Sequence, residues 1–216
     1  MSTVSTDYKS LCQKLYDPKD CGVVVVKRAL SPILAISIRH ELEENRRNYV
    51  PRPKHYGTTM QGLSSWDFER AILRNYKYLA VLDSHYSAFS DRLHEHMGPC
   101  QKVDEISVNS SFYKVGSLGI GPHRDNSFSI NFVAIYIISG SNEFCTARDK
   151  SKNEEIQFET VPGDLVLMRA PRNPAENDLR PIHYVGEIKS DRYIVVFRNI
   201  NHELLHQTDR HRQYNA

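Results

Sequence analysis

Residues 130–138 form a nearly unbroken apolar run in which Asn131 is the one strongly polar residue. A run this short cannot cross a membrane as a helix, and its β-branched content is typical of a strand covered on both faces. Further strand-like runs, separated by turn residues, lie at about 105–114, 155–160, 164–169, 181–188 and 192–200. The second half of the chain is therefore predicted to be a β-sandwich or barrel.

The first hundred residues have a different, mainly helical pattern. Residues 21–27 are predicted to form a buried strand. Ser31 and Pro32 are typical of a helix start, and apolar residues then recur at helical spacing. Residues 49–65 contain two prolines and two glycines and are predicted to form a long loop. Residues 65–97 lack proline and glycine and are predicted to be mainly helical.

These patterns predict one α+β domain over residues 1–216. Residues 1–100 would supply helical support and a substrate lid, 101–200 the β core, and 201–216 a polar tail. The net charge of +2 gives no strong pull toward nucleic acid or a membrane surface.

The four cysteines are far apart and form no CxxC or zinc-ribbon spacing. This argues against a disulfide framework or a structural zinc and is typical of a reducing compartment. The N-terminal residues show no basic region followed by an apolar run, and no segment has the length of a membrane helix. We therefore expect a cytoplasmic protein without membrane association.

The strongest chemical signal is a single His-x-Asp pair, His123 and Asp125, which follows a glycine-rich approach to a predicted strand. An imidazole and a carboxylate at this spacing can turn toward one metal where a strand bends or ends. A histidine from a distant strand completes a facial triad with open coordination positions, which suits non-heme iron. His183, 60 residues further on, is the best candidate for it. The alternative is three ordinary surface residues, because so short a motif often occurs by chance.

Two arginines lie on the last predicted strand, and alternation places Arg192 and Arg198 on the same face. An inward arginine is costly unless an anion meets it, and its planar fork suits a carboxylate. Tyr113 shares a strand face with Asn109 and Ser111, and this face is predicted to line a polar cavity. The alternatives are a solvated strand-edge arginine and a packed tyrosine on a half-solvated face.

Together these residues resemble the Fe(II)/2-oxoglutarate-dependent dioxygenase superfamily, and its AlkB-like branch most closely. The resemblance covers about residues 105–200 and is carried by the segment from Tyr113 to Asp125, by His183, and by the segment from Arg192 to Arg198. It implies a double-stranded β-helix, or jelly-roll, core with the N-terminal helices packed on it.

The resemblance also implies the cofactors and the reaction. Fe(II) would be held by His123, Asp125 and His183, and the cosubstrate 2-oxoglutarate by Arg192 with Tyr113 and Arg198. In the family, O2 oxidises 2-oxoglutarate to succinate and CO2 while a substrate C–H bond is oxidised. The carboxylate of Asp125, where halogenating relatives have a small residue, favours hydroxylation or dealkylation.

Several functions agree with this pattern. The first is hydroxylation of a small molecule, such as an amino acid or a biosynthetic intermediate. The others are AlkB-like oxidative demethylation of nucleic acid, hydroxylation of a protein, and a metal-binding β-barrel module without turnover.

We expect the loop 49–65 and the following helical stretch to cover the metal and select the substrate, with Tyr56 and Trp66 as apolar walls and Arg52 as an anion ligand. Packing or solvent exposure is the alternative for each of these three residues.

Overall fold

The computed structural model of the protein describes residues 7–56, 59–172 and 179–204, with the side chain of Tyr56 left out. The helices are α1 (Tyr8–Tyr16), α2 (Pro32–Glu44) and α3 (Lys77–Met97), with short 3-10 helices at Arg46–Asn48 and Arg70–Asn75. The first strands are β1 (Val23–Val26), β2 (Val50–Pro51), β3 (His55–Tyr56), β4 (Thr59–Met60) and β5 (Ser64–Phe68). The others are β6 (Glu105–Tyr113), β7 (Ile120–His123), β8 (Ser129–Ile137), β9 (Asn142–Ala147), β10 (Ile156–Thr160), β11 (Leu165–Arg169), β12 (Ile182–Val185) and β13 (Arg192–Ile200).

Two antiparallel sheets make up the core. The larger has the strand order β1-β11-β8-β13-β6-β5-β2, and the smaller has the order β10-β9-β12-β7. An apolar cluster joins Val133 and Ile194 of the large sheet to Phe144 and Val185 of the small one, so the sheets pack face to face. Residues 105–200 thus form the double-stranded β-helix predicted from the sequence, and the α+β class is confirmed.

Strand β8 shows why the apolar run has almost no polar positions. Its outer side carries Phe132 and Tyr136, which join the cluster formed with the helices. Its inner side carries Val133 and Ile135, which join the cluster between the two sheets. All nine residues of the strand are buried because helices cover one face and the small sheet covers the other.

The helices pack on the outer face of the large sheet. The Oγ atom of Ser31 accepts a hydrogen bond of 3.2 Å from the backbone N–H of Leu34, and Pro32 occupies the first turn, which confirms the predicted start of α2. In α3, Tyr86 stacks on Phe197 of β13 with ring centroids 4.2 Å apart. None of the helices among the described residues is long and apolar enough to cross a bilayer.

The segment before α3 differs from the prediction. Residues 49–65 contain short paired strands, and helical structure was wrong for residues 65–68, which belong to β5. Trp66 and Phe68 alternate with Ser65 and Asp67, and β5 pairs with β6 along its length. The apolar spacing of this short segment fits a helix equally well, so its pairing with β6 determines that it forms a strand. Residues 205–216 of the predicted polar tail lie outside the described residues.

Candidate active site

The two predicted histidines face each other across neighbouring strands of the small sheet. His123 at the end of β7 and His183 on β12 are directly paired in register, and their ring centroids are 4.3 Å apart. Asp125 follows β7 by two residues. One ligand atom from each of the three side chains lies within 4.8 Å of the other two, so the structure brings the sequence-predicted set together.

Both imidazoles are oriented by backbone carbonyls. Nδ1 of His123 lies 2.8 Å from the carbonyl oxygen of Gly121, and Nδ1 of His183 lies 3.3 Å from that of Pro181. A carbonyl only accepts, so Nδ1 carries the hydrogen in each ring and the Nε2 lone pair is left for a ligand. Burial, and then the neighbouring His123, lower the pKa of His183 to about 3, so this ring is neutral at physiological pH. Neutral imidazole is the form that binds metals.

Asp125 is the third member of the group. Burial would raise the pKa of its carboxyl, but Arg198 and the two histidines outweigh burial and lower the pKa to about 2. Its Oδ1 lies 3.5 Å from Nη2 of Arg198, whereas its Oδ2 is buried and has no hydrogen-bond partner within the described chain. A buried carboxylate oxygen without a partner is costly. Two imidazole nitrogens and this oxygen therefore form a donor set that suits a divalent transition metal.

A small cavity lies directly against Asp125 and His183. Its walls include Ser129 on β8 and Met168 on β11, and the Oγ atom of Ser129 is buried without a hydrogen-bond partner in the described chain. The cavity has a volume of about 10 Å³, so it leaves a small space beside two of the three candidate ligands.

Among the described residues, Arg192 has the largest of the fully buried side chains, with 1% of its surface exposed. Its Nη1 and Nη2 atoms each donate to Oγ1 of Thr160 at 3.3 Å, and its Nε has no partner. No carboxylate of the described residues forms an ion pair with it. Burial lowers the pKa of the guanidinium to about 10, against the opposing effect of Tyr113, so Arg192 remains cationic at neutral pH. An anionic group of a ligand would stabilise this buried cation, which has no anionic partner among the described residues.

Tyr113 and Arg198 complete the predicted set. Tyr113 is the direct cross-strand partner of Arg192, so the two side chains share the inner face. Arg198 lies at the other end of β13, where its Nη1 donates to Oδ1 of Asn109 at 2.5 Å and its Nη2 approaches Asp125. Arg198 is therefore placed beside the candidate metal ligands, and Arg192 lies about 20 Å further along the strand.

Sequence reasoning missed the role of Thr160. This residue ends β10, and its hydroxyl donates to the backbone oxygen of Asn142 at 2.6 Å while accepting from Arg192. A single threonine at the end of a mostly exposed strand gives no signal in the sequence, because only the pairing of β10 with β9 brings it under the guanidinium.

The three predicted substrate residues occupy different positions in the structure. Trp66 as a wall of the site is wrong: it opposes Ser110 in the sheet, faces the helices, and packs on Tyr49 and Phe68. Arg52 lies on the inner face, bonded to Ser65 and Asp67. The Tyr56 side chain lies outside the described residues.

The two parts of the predicted lid, the loop 49–65 and the helical stretch after it, lie on different sides of the large sheet. Helix α3 does not cover the open side of the site, because it packs on the outer face of the large sheet. Strands β3 and β4 form a hairpin whose end bridges to β7, through the pairing of Gln61 with Ile120. The segment before α3 therefore lies against the strand that carries His123, and α3 supports the sheet from behind.

Gly119 fixes the approach of β7 to β12. Its φ angle is +69°, and an added Cβ would lie 2.2 Å from the backbone oxygens of both Val185 and Gly186. We expect Gly119→Ala to lower the free energy of unfolding by about 2–4 kcal/mol and to weaken metal binding, because β7 must move away from β12. Urea denaturation and metal titration measure both effects.

Gly116 provides the matched control for this prediction. Its φ angle of +78° is similar, but an added Cβ would meet no atom within 4 Å. Gly116→Ala should therefore cost only the backbone strain, about 1 kcal/mol, and leave metal affinity unchanged. Equal losses in the two variants would contradict the steric explanation.

Comparison with solved structures places this arrangement among known folds. No family model and no curated protein sequence matches the chain. A prolyl hydroxylase from Trichoplax adhaerens, in complex with a peptide fragment of the hypoxia inducible factor oxygen degradation domain, matches with a TM-score of 0.70 and 12% identity over 91% of this chain and 92% of that one. The chain has the fold of this oxygenase.

Two further structures support the same fold. A prolyl-4-hydroxylase from Pseudomonas putida matches with a TM-score of 0.67 and 12% identity, covering 88% of this chain and 99% of that one. The dioxygenase for auxin oxidation from Arabidopsis thaliana, in a binary complex with 2-oxoglutarate, matches with a TM-score of 0.61 and 13% identity over 91% of this chain and 90% of that one. At these identities the likeness concerns the fold, and the chemistry depends on the residues of the site.

Proposed function

We propose that the protein is an Fe(II)- and 2-oxoglutarate-dependent oxygenase that hydroxylates a C–H bond of a small molecule and releases succinate and CO2. The observation that carries this proposal is the combination, inside one β-helix, of a two-histidine, one-carboxylate group and the buried cation Arg192. A metal centre alone would not explain why a cation is buried at Arg192. A dicarboxylate cosubstrate supplies the anion that the described residues do not provide.

Each residue has a defined role in this proposal. His123 and His183 would bind iron through Nε2, and Asp125 through the oxygen that has no protein partner. Bound iron would supply the activation of O2 that oxidation of a C–H bond requires. Arg192 would hold a carboxylate of 2-oxoglutarate, with Thr160 fixing the guanidinium and Tyr113 beside it on the same face. The apolar interior around these groups excludes water and strengthens the charge interaction.

The AlkB-like branch remains a proposal within this fold. It is supported by Tyr113 opposite Arg192 and by Arg198 beside Asp125. Two positions depart from the AlkB pattern, which usually has asparagine where this chain has Ser111 and Ile194. Oxidative demethylation of nucleic acid is therefore the second candidate function, and the net charge of +2 does not favour it.

The structural neighbours and the cysteines add support. Among the similar structures, the prolyl hydroxylase from Trichoplax adhaerens is bound to a peptide fragment, and the enzyme from Arabidopsis thaliana is a dioxygenase for auxin oxidation, so proteins of this fold include one that binds a peptide and one that oxidises a small molecule. All four cysteines of this chain are free, in agreement with a reducing cytoplasm, where we propose that it acts.

The proposal is tested by measuring succinate formation by the purified, iron-loaded protein with 2-oxoglutarate and O2, with and without candidate substrates. We expect slow uncoupled turnover without substrate and faster turnover with the correct small molecule. A protein that binds iron but never forms succinate would be the metal-binding module. Tight binding of methylated oligonucleotides that weakens steeply between two salt concentrations, coupled to demethylation, would instead establish the nucleic-acid function.

A further inference from the structure

A polar stripe extends from the candidate metal ligands across the inner face of the large sheet. Strand alternation places its members on one side of the neighbouring strands β6, β5 and β2, opposite to the side on which Trp66 and Ser110 lie. The stripe consists of Asn109, Ser111, Ser65, Asp67 and Arg52. It leads from the iron site toward the edge of the sheet at β2.

The inner end of the stripe touches the metal-ligand group. Arg198 contacts Asp125 and donates to Oδ1 of Asn109, and Nδ2 of Asn109 donates to Oγ of Ser111 at 3.2 Å. Asp67 is the direct cross-strand partner of Asn109. Such partners have Cβ atoms about 5 Å apart, so the Asp67 carboxylate lies one strand away from the group that meets Asp125.

The outer end of the stripe is an ion pair between Arg52 and Asp67. The backbone N–H of Arg52 bonds to the carbonyl oxygen of Leu63, and Leu63 packs against the cluster between the sheets, which places Arg52 on the inner side of the sheet. The Arg52 side chain donates from Nε to Ser65 and from Nη2 to Asp67. The pair is thus held in place on the inner side of the sheet, near its edge at β2.

Both charges of the pair remain open to a ligand. The side chains of Arg52 and Asp67 are 40% and 65% exposed. Within the described residues, Nη1 of Arg52 and Oδ1 of Asp67 form no hydrogen bond with the protein. An exposed ion pair of this kind contributes only about 0–1 kcal/mol to stability, so stability does not explain its position.

We propose that the Arg52–Asp67 pair binds the charged end of a zwitterionic substrate, an α-amino acid, with the carboxylate on Arg52 and the ammonium on Asp67. This inference rests on the proposed oxygenase function and names its substrate class. The amino-acid side chain would then extend along the stripe toward the iron ligands, where a C–H bond is presented. A residue within a peptide carries neither charge, and the Asp67 carboxylate repels the phosphates of a nucleic acid.

The test uses three forms of each common amino acid: the free acid, the N-acetyl derivative and the carboxamide. Binding to the full chain loaded with iron and 2-oxoglutarate is measured by calorimetry without oxygen, and succinate formation is measured with oxygen. We expect one or a few free amino acids to bind at least about tenfold more tightly than both blocked forms, since each derivative leaves one charge of the pair unmatched.

Variants of the pair separate recognition from folding. In Asp67→Asn, the penalty for N-acetylation should fall to about twofold, and in Arg52→Gln the penalty for the carboxamide should fall likewise. Exchange of both charges, Arg52→Asp with Asp67→Arg, keeps an ion pair on the sheet and should abolish the preference for free amino acids. The control is Glu154→Gln, which breaks the exposed Arg148–Glu154 pair on the β9–β10 hairpin and should change nothing.

The experiments distinguish failure of the substrate inference from failure of the proposed oxygenase function. If uncoupled succinate formation occurs but free and blocked forms bind equally, or Asp67→Asn keeps full discrimination, the substrate inference is overturned and the oxygenase function stands. If no 2-oxoglutarate is consumed under any condition, the proposed function fails, and this inference fails with it.

Discussion

Exchange of Asp125 for alanine is expected to abolish succinate formation and to lower iron affinity on the order of 100-fold or more. Asp125 provides the only carboxylate among the three candidate ligands. Its Oδ2 has no partner within the described chain, so the variant removes a ligand atom without breaking a protein hydrogen bond to that atom. Two imidazole ligands would remain, and they bind iron(II) weakly without an anionic ligand.

Several measurements make this prediction specific. Iron and manganese titration under anaerobic conditions gives the metal affinity, and succinate release gives the turnover. Asp125→Glu keeps the charge and displaces it by one methylene, so it should retain part of the metal affinity and little turnover. Asp91→Ala, at an exposed position of α3, is the control and should leave both quantities unchanged. Normal metal affinity in Asp125→Ala would remove this residue from the proposed site.

The fold was largely predictable because its periodic signals are strong. The apolar run of β8 indicated a strand covered on both faces, and it has the helices on one side and the small sheet on the other. Ser31 and Pro32 marked the start of α2 through local hydrogen bonding and backbone preference. These signals depend on neighbours in sequence, so no knowledge of the tertiary structure was needed.

The candidate site was predictable only where its residues belong to a spaced motif. His123 and Asp125 stand together, and alternation along β13 placed Arg192 and Arg198 on one face. The side of the sheet that Trp66 occupies depends on the pairing of β5 with β6, and Thr160 depends on the pairing of β9 with β10. Such long-range pairings have no sequence period, so an aromatic residue near the site was mistaken for a wall of it.

The packing of α3 on the outer face of the large sheet could not be predicted for the same reason. The sequence indicated one apolar side on this helix, but an apolar side predicts only that this side is buried and does not show which surface it packs against. Leu82, Tyr86 and Phe89 pack in the cluster on the outer face of the sheet. The helix packs against residues of β8 and β13, and the segment that contains β3 and β4 lies against β7.

Arg192→Met is expected to raise the 2-oxoglutarate concentration needed for half-maximal turnover by about 100-fold or more, without weakening iron binding. The Arg192 side chain is fully buried, and Thr160 is its only hydrogen-bond partner among the described residues. Loss of the cation removes the charge that would meet the distal carboxylate. Arg192→Lys should recover part of the affinity, because a point charge remains but the planar fork is lost.

The same variant gives an unusual expectation for stability. A buried charge without an anion destabilises the ligand-free protein, so Arg192→Met should unfold at the same temperature as the wild type or higher. Arg70→Met, which leaves Asp83 without its partner at 2.6 Å, should unfold at a lower temperature and serves as the structural control.

Added 2-oxoglutarate at 100 times its dissociation constant should stabilise the wild type by about 2.7 kcal/mol and Arg192→Met hardly at all. Thermal unfolding with and without the cosubstrate checks both statements. A less stable Arg192→Met protein that still responds to 2-oxoglutarate would show that Arg192 supports the fold and does not hold the cosubstrate.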